Sequence, residues 1–121
     1  MELERVRFID HQGKQVLLLD FSNGRAEDVS KVIIQAGPLI QKSSPHSLLT
    51  LSDMTNIAVR DISTQQLVSF AKGNAPYVKA AAVIGVSGLA RSIMATTVIL
   101  TRRKFQAFDS RQEALAWLIS M

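Results

Sequence analysis

The sequence predicts an α/β fold: a mostly parallel sheet with an antiparallel N-terminal strand, covered by helices. Three observations predict it. Strand-length apolar stretches alternate along the chain with stretches of helical spacing. The run "VKAAAVIGV" at 78–86 is apolar apart from Lys79, as suits an interior parallel strand covered on both faces. The first strands are joined only by "HQGK" at 11–14, a connection short enough for a hairpin.

Taken in order, Val6 and Phe8 alternate with charged residues as in a half-buried strand, and the hairpin returns through "QVLLLDF". Asn23-Gly24 ends it. Ala26, Val29, Val32, Ile33 and Ala36 then recur at helical spacing, and Gly37-Pro38 is expected to bend or break that helix because proline removes a backbone donor. "KSSPHS" at 42–47 reads as a loop, "SLLTLSD" at 47–53 as a buried strand and "MTNIAVRD" at 54–61 as an irregular connection. Leu67, Phe70 and Ala71 place a helix from Ser63 to about Gly73-Asn74. After the strand at 78–86 come a helix over 88–101, a short strand "KFQAF" and a final helix over 110–120. Ser110 and Glu113 have the spacing of a capping box, and Ala114, Leu115, Leu118 and Ile119 supply the apolar stripe. The order is β-β-α-β-α-β-α-β-α, with residues 1–121 forming one domain and no internal repeat.

Composition narrows the function classes. The chain has 121 residues, 47% of them apolar and 20% charged, within the range of a globular domain able to bury a core. There is no cysteine, which removes thiolate metal sites, disulfides and cysteine nucleophiles and fits a reducing cytoplasm. "MELERVRFID" lacks the apolar core of a secretory leader. The apolar stretch 80–100 has the length of a bilayer span, but Arg91 at its middle costs about 2.5–3.5 kcal/mol on insertion scales, so a transmembrane segment is not expected. The net charge of +4 arises entirely after residue 78: eight basic and eight acidic side chains precede that point, six basic and two acidic follow it. Arg102, Arg103 and Lys104 fall where a helix would end, and cations there complement its dipole. With few aromatics near them, nucleic-acid binding is not expected.

Motifs for catalysis fail on spacing. His11 and His46 lie in separate loops without helix-spaced partners, so no metal is expected. In "GVSGL" at 85–89 a serine sits at a strand-to-helix turn, but the glycine that a nucleophile elbow needs two residues after Ser87 is missing, and no histidine follows residue 46. Asp53, Asp61 and Asp109 have no visible base to serve. Gly85 and Gly88 match neither dinucleotide nor P-loop spacing. They read first as a tight corner with Ser87 as N-cap, and second as an anion or ligand site formed by Gly85, Ser87, Gly88 and Arg91 at a helix start. The helix over 88–101 is apolar around most of its circumference, and Leu89, Ile93, Val98 and Ile99 are candidate contacts for a second copy of the chain or another protein.

The whole chain resembles the STAS-like (SpoIIAA-like) domains, which include anti-sigma-factor antagonists, sulfate-transporter tails and short bacterial stand-alone members. The resemblance rests on the N-terminal hairpin, on "SLLTLSD" and "YVKAAAVIGVSGLARSI" each leading into a helix, and on the closing "KFQAFDSRQEALAWL". It implies a non-enzymatic regulatory module without cofactor that works through protein partners. In antagonist members a serine in a D-S-S-G motif is phosphorylated by a partner kinase. Asp61, Ile62, Ser63 and Thr64 occupy those positions here, so Asp61 and Ser63 agree with the motif while Ile62 and Thr64 depart from it. A phosphate on Ser63 would bring about −2 charge to a helix start; unmodified, Ser63 serves as N-cap with Gln66 completing the box. The CRAL-TRIO lipid-binding domains resemble the same sheet order, so the alternative expectation is a small-molecule or lipid carrier with its anion site at the 85–91 corner.

Overall fold

A computed structural model describes residues 4–61, 63–86 and 105–121. β1 (Val6–His11) and β2 (Lys14–Asp20) form the hairpin. Gln12 and Gly13 between them both have positive φ, 49° and 84°, the paired left-handed conformation that matches the twist of flanking strands. α1 (Ala26–Gln41), β3 (Leu48–Asp53), a 3-10 turn (Val59–Asp61), α2 (Thr64–Asn74) and β4 (Val78–Ile84) follow, then β5 (Phe105–Phe108) and α3 (Arg111–Ile119). The sheet order is β1-β2-β3-β4-β5, with β1 antiparallel to β2 and the other neighbours parallel. The fold expected from the sequence is the fold observed.

The continuous apolar runs are explained by two cores, one on each face. Leu17, Leu19, Leu48, Ala81 and Val83 point to the face covered by Val29, Val32 and Ala36 of α1 and Leu67 of α2. Val16, Leu18, Leu49, Leu51, Ala80, Ala82 and Ile84 point to the opposite face, under Ala114, Leu115 and Leu118 of α3. β4 is alanine-rich on both faces, and on the second face it meets Ala114, which is fully buried. Small residues on facing elements let helix and sheet approach closely and fill the space without voids. Phe108 and Trp117 pack with ring centroids 5.5 Å apart at the edge of this second core.

Three local expectations are corrected. Of the expectation that Pro38 bends or breaks α1, the break does not occur: Leu39 and Ile40 continue the helix to Gln41, and Lys42 N–H donates to Pro38 O at 3.2 Å. Pro38 cannot donate to the Ile34 carbonyl, and this turn lies on the solvent side of α1, where Ile34 is 72% exposed. Phe8 was expected to be half-buried but is 43% exposed on the edge strand. Ile119 lies at the margin of the α3 stripe and is only partly buried. The helix expected over 88–101 lies outside the described residues.

α1 starts without a side-chain cap from Arg25; instead the Asp28 carboxylate accepts from the Arg25 N–H at 2.9 Å. That backbone hydrogen bond holds the Asp28 carboxyl below its usual pKa. Its contribution to stability is therefore present above the ordinary carboxylate range and lost as pH falls through the lowered value.

Candidate functional site

β2 and β3 end in the same tetrapeptide pattern, Asp20-Phe21-Ser22-Asn23 and Asp53-Met54-Thr55-Asn56. In each, the carboxylate turns back on its own chain. Asp20 Oδ1 accepts from Ser22 N at 2.9 Å and from the Ser22 hydroxyl; Asp53 Oδ1 accepts from Thr55 N at 3.0 Å and from Thr55 Oγ1 at 2.6 Å. Phe21 and Met54 are buried in the first core. Asn23 and Asn56 follow in the left-handed region, φ 55° and 58°, which asparagine tolerates better than most residues. The two turns are joined side by side: Asn56 Nδ2 donates to Asn23 Oδ1 at 3.2 Å, and Asn23 N to Thr55 O at 2.9 Å.

Gly85 sits beside this pair at the end of β4 with φ 75°. A Cβ there would lie 2.6 Å from Thr55 N and 2.7 Å from Thr55 Cα. The glycine is a corner required by close backbone approach, which agrees with the Gly85 part of the first sequence expectation. Arg111 at the start of α3 reaches Asp53 Oδ2 at 3.4 Å. Arg5 Nη1 donates to the carbonyls of Asp20 and Ser22 at 3.1 and 3.0 Å. At the carboxyl ends of β2 and β3 these polar groups satisfy one another.

Ligands in open α/β sheets usually enter where successive connections leave to opposite faces. Here α1 and α2 bury against the same core, so β2, β3 and β4 form no such switch point. Among the described residues no group of three His, Cys, Asp or Glu is placed to hold a metal ion. No helix among them is long and apolar enough to cross a membrane.

The second candidate, Asp61 with Ser63 and Thr64, lies where α2 begins. Asp61 closes the 3-10 turn, with its N–H donating to Ala58 O at 2.9 Å. Ser63 is exposed and caps α2, its Oγ accepting from Gln66 N at 3.2 Å. The other half of the expected box does not form. Gln66 Nε2 instead donates to Ser30 Oγ of α1 at 3.2 Å, tying the two helices together. One turn beyond Ser30, Ile34 projects from α1 with 72% of its surface exposed. At the other end of the chain Ser110 caps α3 as expected, accepting from Glu113 N at 3.2 Å.

Of the corner site, only Gly85 falls within the described residues; Ser87, Gly88 and Arg91 lie outside them, as do Leu89, Ile93, Val98 and Ile99. Sequence reasoning missed the paired turns at Asp20 and Asp53. The available signal was an identical Asp-apolar-hydroxyl-Asn pattern after two buried strands.

No protein-family model and no curated protein matches this sequence. Among solved structures, the chain is similar to an uncharacterised protein of the DUF3478 family with a SpoIIAA-like fold from Shewanella loihica PV-4. The match has a TM-score of 0.69 at 16% sequence identity and covers 93% of this chain and 91% of that one. At that identity the similarity establishes the fold and no more.

Proposed function

We propose that this SpoIIAA-like fold serves as a non-enzymatic regulatory module in the cytoplasm, docking a protein partner on the surface shared by α1 and the start of α2. The observation that carries the proposal is that Gln66, bound to the exposed Ser63 cap, also joins α2 to α1 through Ser30, one turn before the protruding Ile34. Ile34 and Leu39 are the exposed large apolar side chains of α1, and apolar contacts rimmed by hydrogen-bonding groups suit a protein interface. A phosphate on Ser63 would add charge at the amino end of α2, where backbone donors favour it, and would change what this surface accepts.

A carrier is less well supported. A pocket for a drug-sized or lipid-like ligand occupies roughly 300 Å³ or more, whereas the apolar cavity among the described residues is about 40 Å³. A wider groove of about 830 Å³ between β1 and α1 is open and is lined by charged groups such as Arg5, Asp28 and Lys31. The proposal keeps Leu89, Ile93, Val98 and Ile99 as contacts for a second copy of the chain, and a monomer at high micromolar concentration in sedimentation equilibrium rules that contact out.

Partner retention tests the main surface. Ser63→Ala removes only the cap, with an expected loss of about 1 kcal/mol, and should keep the partner. Ser63→Asp and Ile34→Asp should each weaken retention of the same partner at least tenfold while the variants remain folded by circular dichroism. Equal retention by all four proteins contradicts the proposal.

A further inference from the structure

Beneath α2, the first core is incomplete. A cavity of about 40 Å³ lies between the helix and the sheet, walled by Leu19 and Met54 on one side and Leu67 and Phe70 on the other. Its floor carries two hydroxyls of the central strand, Thr50 and Ser52. Thr50 is only 3% exposed, and its hydroxyl has no hydrogen-bond partner among the described residues. A buried hydroxyl left unpaired is costly and calls for a bound group to satisfy it. None of the described lining residues is ionisable.

We propose that this cavity is a binding site for a small uncharged molecule with one hydrogen-bonding oxygen and about three or four non-hydrogen atoms, such as a short alcohol or ketone. Its size, about 40 Å³, admits about three or four water-sized groups at roughly 10–15 Å³ each. Water alone fits the chemistry poorly, because a buried water makes two to four hydrogen bonds and two hydroxyls on one wall cannot supply them for a cluster. An alcohol places its oxygen on Thr50 and Ser52 and its carbons against the apolar walls. A charged ligand of the same size would find no counter-ion among the described lining residues, which is unfavourable. The site is separate from the Ser63 surface and stands independently of the partner proposed for it.

The test is a methyl-detected NMR titration of the full chain with 2-propanol and, in parallel, with acetate, which has the same number of non-hydrogen atoms. The methyl signals of Leu19, Met54 and Leu67 should shift saturably with 2-propanol and not with acetate. In Thr50→Val, which removes the unpaired hydroxyl and should fold at least as stably as the parent, the 2-propanol midpoint should rise about fivefold, the equivalent of one hydrogen bond. Ser52→Ala provides a second variant with the same expected direction. Unsaturable shifts spread over surface methyls, an equal response to acetate, or an unchanged midpoint in both variants would overturn the proposal and leave the cavity as a water site.

Discussion

Replacing Gly85 with alanine is expected to destabilise the protein by about 3 kcal/mol or more. A residue with a side chain pays roughly 1–2 kcal/mol to hold a left-handed backbone, and Gly85 has φ 75°. The added Cβ would also collide with Thr55, 2.6 Å from its amide nitrogen and 2.7 Å from its Cα. Thr55 has little freedom to retreat. The Asp53 carboxylate holds its amide and hydroxyl, and the preceding residue is bound to β4 by Met54 N donating to Ile84 O at 2.9 Å. A backbone clash of this kind is among the few mechanisms that produce large single-residue losses. Gly73→Ala is the matched control: it lies within α2, and its Cβ meets nothing within 4 Å, so a gain of about 0.5–1 kcal/mol is expected. Urea unfolding midpoints for the two variants should move in opposite directions. An unchanged midpoint for Gly85→Ala would show that β4 and the Asp53 turn do not approach as described.

The second large effect is expected at Leu118→Ala, with a loss of about 2–5 kcal/mol. Leu118 is fully buried in the second core with Ala114 and Leu115, against Val16, Leu18 and Leu51. Among the described residues only α3 covers that face, so neighbouring side chains have little means of collapsing into the space left behind. For a domain whose net stability is typically about 5–15 kcal/mol, this loss would lower the thermal midpoint by on the order of 10 °C. Differential scanning calorimetry reads it directly. A shift of only a degree or two would mean that α3 is dispensable for covering the sheet.

The fold was legible because its signals are local and redundant. Val16–Leu19 and Ala80–Ile84 are apolar at consecutive positions, which two covered faces require, and both belong to interior strands. Ser63 and Ser110 were readable as caps because the cap bond spans only three residues. Features that depend on distant partners were not legible. Gln66 is three residues from Ser63 but bonds to Ser30, 36 residues away. The Asp20 and Asp53 turns are 33 residues apart and become one unit only when β2 and β3 pair in register. At Pro38 the sequence left bend and break open, and only the structure shows that the helix runs on through the proline to Gln41.

The proposed docking surface is tested most directly by native mass spectrometry of the protein isolated gently from its own host, with Ile34→Asp as the comparison. The account predicts a wild-type complex whose added mass matches a second polypeptide, and loss of that mass in Ile34→Asp. A bare monomer at high micromolar concentration, or an adduct of a few hundred daltons that persists in Ile34→Asp, would contradict it.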